Sequence, residues 1–260
     1  MENVNDSYFD GHYREIWRAL IPSILTSREV EFIISHFNLG PQTEVLDIMC
    51  GYGRHCLALG RRGIPVTAVD NLKYYTDEIS MTAKAENLPI KIVNDGILHF
   101  KPKVKFQFAM CMGNSLNFFN EADTLTILNN ISSCMQEDGS LLINSWSFAE
   151  IALPQFAEKS EAKVGNLTIK SSSKLLENPT RIESETRIED DNGLTETKFA
   201  VDYIFSIPQF EELLHKSEFY IDEIYSIPGK KKFTDGEPRA YLIAKKGNPN
   251  SRASSNNCDG

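Results

Sequence analysis

The chain has 260 residues, 41% of them hydrophobic and 24% charged, which suits one large α/β domain or two small ones. A net charge of −9 at pH 7 argues against nucleic acid as a partner, and no apolar run approaches the roughly 18 residues that span a bilayer. The start, MENVNDSYFDGHYREIW, is acidic and aromatic and lacks the basic segment and apolar core of a secretory leader, so a cytoplasmic protein without a membrane partner is expected.

In chain order, residues 1–43 predict an N-terminal helical cap. An amphipathic aromatic stretch carries Tyr8, His12, Tyr13 and Trp17, and Thr26 with Glu29 forms a capping box for a helix to about residue 37. Strands are expected at 44–49, 65–69, 90–93, 106–112 and 141–144. Between them, helices are expected at 54–62, stopped by Gly63, at 71–87, with Thr76 and Asp77 as cap residues, and from an Asn120 cap to about residue 135. Glu137 to Ser140, EDGS, reads as a turn. Strand, helix, strand at this spacing means parallel strands joined by right-handed crossovers, hence a doubly wound sheet. Such sheets bind ligands beyond the carboxyl ends of their strands.

Past residue 160 the period changes to two. Residues 161–205 predict an inserted antiparallel β meander, in which DDNGL is a hairpin turn because Asn-Gly tolerates positive φ at both central positions. The core, 44–160, then resumes at 206–246 with a helix at 208–216 and strands at 219–227 and 240–245. The lysines of PGKKKF read as a solvated turn. The small polar residues of 247–260 predict a disordered tail. The five cysteines include no zinc-type CxxC pair, so free thiols and no metal site are expected.

The stretch VLDIMCGYGRH, Val45 to His55, places a glycine turn after the first strand. Such a turn can cradle a dinucleotide, hold another nucleotide-like cofactor, or be a plain tight turn. The dinucleotide fingerprint wants a third glycine where Cys56 stands. Asp47, just before the turn, would repel a pyrophosphate and suits a ligand with an amino group and a positive centre. Asp70 ends the second strand, where a carboxylate accepts from ribose hydroxyls. Asp95 follows the third, within reach of an adenine amine.

This ordered set resembles the class I S-adenosylmethionine-dependent methyltransferases: VLDIMCGYGRH matches their first motif, VTAVDN the second, VNDGI the third and FQFAMCMGNSL the fourth. CMGNS, INSWSF and the meander are similar to features of sugar-nucleotide N-methyltransferases and glycine N-methyltransferase. The resemblance implies a seven-stranded Rossmann-like methyltransferase sheet and S-adenosyl-L-methionine as cofactor. It implies that Asp47, with the backbone around Met49, Cys50, Gly51 and Gly53, holds the methionine moiety. Asp70 would bind the ribose, Asn71 and Leu72 would flank the adenine, and Asp95, Gly96 and Ile97 would read its edge. Met112 and Gly113 would lie beneath the sulfonium. The family's first loop glycine is Met49 here, which either narrows the pocket or points away from it.

The activity expected is in-line methyl transfer to a nitrogen or oxygen of a small-molecule acceptor, by a monomer or homodimer. Tyr8, Asn114, Ser115, Asn117 and Trp146 are candidate acceptor contacts, with Ser147 beside them. His12 and Tyr13 are catalytic candidates, and Arg54 or His55 is placed to touch the cofactor carboxylate. Phe118 and Phe119 are expected in the core. No (D/N)PP(Y/F) motif, the mark of nucleic-acid amino methyltransferases, follows the fourth strand. Two other readings stand: a non-catalytic S-adenosylmethionine-binding module, and an NAD(P)-dependent oxidoreductase.

Overall fold

A computed structural model describes residues 5–247, so the expected tail lies outside the described residues save its first position. Two helices open the chain, α1 (Tyr13–Leu20) and α2 (Ser23–His36). There follow β1 (Val45–Ile48), α3 (Arg54–Gly60), β2 (Val66–Asp70), α4 (Lys73–Ala85), β3 (Ile90–Asn94), β4 (Phe106–Cys111), α5 (Glu121–Cys134) and β5 (Met135–Ser145). A short α6 (Ala149–Ala152) leads to β6 (Lys159–Val164), β7 (Leu167–Leu176), β8 (Arg181–Asp190) and β9 (Gly193–Tyr203). Last come α7 (Ile207–Lys216), β10 (Phe219–Ile227), the two-residue β11 (Lys231–Lys232) and β12 (Ala240–Lys246).

The central sheet runs β11-β10-β12-β5-β4-β1-β2-β3. The five strands from β5 to β3 are parallel, and β12 is antiparallel to both β5 and β10. This is the expected doubly wound, mostly parallel sheet, its seven strands joined at one edge by β11. Strand order reverses at the β1–β4 pair, so a cleft opens beyond Ile48 and Cys111. The strands β6-β7-β8-β9 form a separate antiparallel sheet.

Side-chain alternation splits the core between the two faces of the sheet. Leu46, Ile48, Ala109 and Ile143 pack with Ile127 and Ile131 of α5 and Leu213 and Leu214 of α7. Val45, Phe108 and Met110 pack with Val30 and Ile33 of α2, Leu59 of α3 and Ile79 of α4. Burying each such side chain contributes about 1.5–3 kcal/mol. Because α2 belongs to this core, only the segment from Asn5 to Leu20 is left to lie across the cleft. Among the described residues, no helix is long and apolar enough to cross a membrane.

Several local expectations are corrected. Helix α2 starts three residues before Thr26, at Ser23 behind Pro22, and Glu29 turns inward rather than capping. Helix α4 is preceded by Leu72, and Thr76 lies inside it, bonding Lys73 O at 3.0 Å. EDGS is a bulge within β5: Phe106 pairs with Met135 but Phe108 with Ser140. The second sheet gains β6, whose exposed polar residues hide the strand period. In the β8–β9 hairpin Asp190 pairs with Gly193, and the positive φ falls on Gly193 at 117°. The cap by Asn120 forms as expected, with Asp123 N donating to Asn120 Oδ1 at 2.9 Å.

Candidate active site

The turn after β1 is built on three positive φ angles: 52° at Met49, 54° at Gly51 and 79° at Gly53. Gly53 is required there, since a Cβ would come within 2.6 Å of Ile79 Cγ1. Met49 holds the left-handed conformation for which glycine is suited, so its side chain carries backbone strain. Met49→Val is therefore expected to cost about 1–3 kcal/mol, because a β-branched side chain fits positive φ worst. Met49→Gly is expected to hold the melting temperature. A thermal-denaturation series checks both, and a parent-like melting temperature for Met49→Val would contradict the strain.

The tips of the first three strands are tied together. Gly51 N donates to Asp70 Oδ2 at 2.8 Å and Leu72 N to Oδ1 at 3.0 Å. Cys50 N bonds Val69 O, and Asp95 N bonds Asp70 O, at 3.1 Å each. Asp95 Oδ1 accepts from Gly96 N at 2.8 Å. Asp47 is buried, and its Oδ2 is one of two buried polar side-chain atoms without a hydrogen-bond partner among the described residues. Burial pushes its carboxyl up to about 7, against the Arg54 charge and the Cys56 N–H, with Asp70 adding to the rise. Burial likewise raises Asp70 to about 6, opposed by its two backbone donors. The neighbouring Cys56 thiol, and then desolvation, push the Cys50 thiol up, which disfavours the reactive thiolate.

Beneath this turn lies a buried network. Glu29 of α2 accepts from Arg54 Nη1 at 2.5 Å, from Tyr241 Oη at 2.7 Å and, at 3.0 Å, from His55 Nε2. Burial opposes ionisation of Glu29, but His55 and Arg54 outweigh it and hold the carboxyl down at about 2. Burial and the Arg54 charge push His55 down, so it donates as the neutral ring.

The segment from Asn5 to Leu20 roofs the cleft. Asn5 Nδ2 donates to Phe118 O and Val201 O, at 3.1 Å each, and Asn5 Oδ1 accepts from Val201 N at 2.7 Å. Lys198 Nζ bonds Ser7 O and the Asp10 carboxylate. His12 N donates to Glu196, and the Tyr74 and Tyr75 hydroxyls to Phe9 O. Phe9, Tyr13 and Trp17 form an aromatic row across the opening.

The open-mouthed cavity, about 170 Å³, is walled by Asp47, Met49, Cys50, Gly51, Asp70, Asn71, Leu72, Asp95, Gly96, Ile97, Met112 and Gly113. Tyr13, Ser115, Arg54 and His55 also line it. Gly53 lies behind the wall, capping α3. His12 does not line the cavity; its partly exposed ring sits 3.6 Å from Glu15. Tyr8 packs behind Tyr13 at 4.9 Å between centroids, and Trp146 behind Trp17 at 5.7 Å. Asn117 is buried, donating to Ser147 O and Tyr203 O. Asn114 is a buried hub whose Oδ1 accepts from Ser145 Oγ, Trp146 N and Ser147 N. Phe118 and Phe119, expected in the core, both line the cavity, and Phe119 also packs against the core as expected. Sequence reading missed Asn5, Asp6, Phe9, Tyr52, Tyr75 and His99 as wall residues. Only Phe9 carried a signal, its place in the aromatic N-terminal row.

Comparison with known proteins bears on this geometry. A family model described as a methyltransferase domain matches residues 45–139. A stretch of 83 residues is 29% identical to a ubiquinone biosynthesis O-methyltransferase of Rickettsia canadensis, spanning 32% of this chain and 35% of that protein. The fold matches an S-adenosylmethionine-dependent methyltransferase of Clostridium acetobutylicum with TM-score 0.77 and 16% identity, over 93% of this chain and 99% of the other. It also matches CalS10, an amino pentose methyltransferase of Micromonospora echinaspora, with TM-score 0.68 and 14% identity, over 91% and 97% of the two chains. The donor set fits S-adenosylmethionine: a buried carboxylate oxygen lacks a partner at the glycine turn, and a second carboxylate ends the next strand. Residues 45–139 of this chain accordingly match a methyltransferase-domain model, on a fold shared with S-adenosylmethionine-dependent methyltransferases.

Proposed function

We propose that the protein transfers the methyl group of S-adenosylmethionine to a nitrogen or oxygen of a small-molecule acceptor, acting as a monomer or homodimer. The observation that carries this reading is the unpartnered Oδ2 of Asp47 in a cavity whose other strand-end acids are Asp70 and Asp95. A cofactor ammonium satisfies Asp47, whereas a dinucleotide pyrophosphate would meet three carboxylates. Asp70 would take the ribose hydroxyls, with Asn71, Leu72, Asp95, Gly96 and Ile97 about the adenine. Met112 and Gly113 would lie below the reacting end, and Tyr13 and Ser115 on the acceptor side.

Bound S-adenosylmethionine supplies a methyl carbon already activated by its sulfonium. The chain's own residues then have to align the reactants and exclude water, and alignment alone can contribute roughly 7–11 kcal/mol. The N-terminal segment, tied to β9, to α4 and to Phe118, suits that closure. The amino pentose and ubiquinone-pathway relatives are consistent with a small acceptor. A non-catalytic module would keep the same turn, so label transfer is what separates the two readings.

The test is thermal stabilisation by S-adenosylmethionine and S-adenosylhomocysteine against NAD and NADP, followed by label transfer from methyl-labelled cofactor to amines and hydroxyl compounds. Stabilisation by the nicotinamide cofactors alone would reverse the reading. Cofactor binding without transfer would favour the non-catalytic module.

A further inference from the structure

A partly buried carboxylate near the cavity has no countercharge and, unlike Asp47 and Asp70, belongs to the second sheet. Asp202 lies on β9, on the same face as Lys198 and Ala200 by the two-residue period of the strand. Its Oδ1 accepts from Asn114 Nδ2 at 3.1 Å and Ser147 Oγ at 3.2 Å. Both donors are fixed, because Asn114 Nδ2 also bonds Ser147 Oγ at 2.8 Å while its Oδ1 holds the chain from Ser145 to Ser147. These partners are neutral. Glu29 pairs with Arg54 and Lys198 with Asp10 and Glu196, whereas Asp202, like Asp47 and Asp70 at the strand tips, has no cationic partner in hydrogen-bond contact among the described residues. Among the described residues Asp202 joins no ion pair, and its Oδ2 accepts no hydrogen bond yet is not sealed away. Burial pushes its carboxyl up to about 6, against the pull of Ser147 and Asn114.

The titratable groups that face it are Tyr8 and Tyr13, from the roofing segment, and its charge helps keep both phenols protonated. Asp202 is not itself a wall residue. Tyr13, whose phenol feels its charge, lines the cavity, as do Gly113 and Ser115 on either side of its hydrogen-bond partner Asn114. An uncompensated carboxylate in this position favours a cationic ligand, since an unpaired buried charge is costly.

We propose that the acceptor is an amine, whose ammonium group pairs with Asp202 Oδ2 on the Tyr13 and Asn114 side of the cavity and gives it a proton. This rests on the methyltransferase reading of the cavity. The freed nitrogen lone pair forms the N–CH3 bond as the S–CH3 bond breaks with its electron pair returning to sulfur. A methylammonium, a neutral thioether and protonated Asp202 remain, and Asp202 passes its proton to water.

The test uses the full chain and Asp202→Asn, which keeps the Oδ1 acceptor. S-adenosylhomocysteine affinity is measured first by calorimetry, then label transfer to 2-phenylethylamine against 2-phenylethanol and to glucosamine against glucose. The expected result is transfer to an amine over its hydroxyl partner. Asp202→Asn is expected to lower kcat/KM for that amine about a hundredfold, to abolish its fall on the acid side near pH 6, and to leave S-adenosylhomocysteine affinity unchanged. The variant should also melt no lower than the parent above pH 6, because it removes an uncompensated charge. Transfer to a hydroxyl partner, transfer to no amine, or full activity in Asp202→Asn would each overturn the assignment. Failure of the parent to bind S-adenosylhomocysteine would instead overturn the reading beneath it.

Discussion

Asp47→Asn is expected to raise the melting temperature of the ligand-free protein at pH 8 while weakening S-adenosylhomocysteine binding by about 2–4 kcal/mol, roughly thirtyfold to a thousandfold. The two effects share one cause. The folded protein holds the Asp47 carboxyl near 7, above its ordinary 3.8, so the fold favours the protonated form. The ionised form therefore costs stability progressively as pH rises from about 4 to about 7, and the full cost remains above that. An uncharged isostere removes that cost. Binding has the opposite sign, because only the carboxylate pairs with a ligand ammonium, so parent affinity should fall as pH drops below about 7. Thermal scans and calorimetry across pH 4–9 check both. A variant that melts lower at pH 8, or binds as tightly as the parent, would contradict the role given to this oxygen.

Glu29→Ala should destabilise the fold by about 3 kcal/mol, since it strands a partly buried guanidinium, a buried imidazole and a buried tyrosine hydroxyl together. Glu29 joins α2 to α3 through Arg54 and His55 and to the sheet through Tyr241. Its depressed carboxyl gives the pH dependence. The stability it contributes is present above pH 4.5 and is lost as pH falls through about 2. Denaturant titrations at pH 7 and pH 3 should show a large gap between parent and variant at pH 7 that narrows at pH 3. A gap below about 1 kcal/mol at pH 7, within the usual range for surface ion pairs, would contradict a buried, stabilising network.

The strand tips were legible in the sequence because their signal is local. Apolar runs of the right length end in Asp47, Asp70 and Asp95, and Gly51 and Gly53 mark the turn between strand and helix. The roof was only half legible. Tyr13 and Trp17 stood out as aromatic, but what holds them down is contact with residues nearly two hundred positions away, Glu196, Lys198 and Val201. Glu29 misled for the same reason: three residues after Thr26 it satisfies the capping pattern, yet its carboxylate is used by Arg54, His55 and Tyr241. Asn114 and Asn117 carried correct positions but no hint that their amides organise the backbone after β5. Asp202 sits in an ordinary alternating strand, and its lack of a countercharge emerges only once the two sheets meet.

The most direct measurement is calorimetric titration of S-adenosylhomocysteine into the parent and into Asp70→Ala at pH 7.5. Saturable one-site binding by the parent, sharply weakened in the variant, is the expected result. No binding by the parent, or equal binding by the two, would mean that these acidic strand ends do not hold an adenosyl ligand.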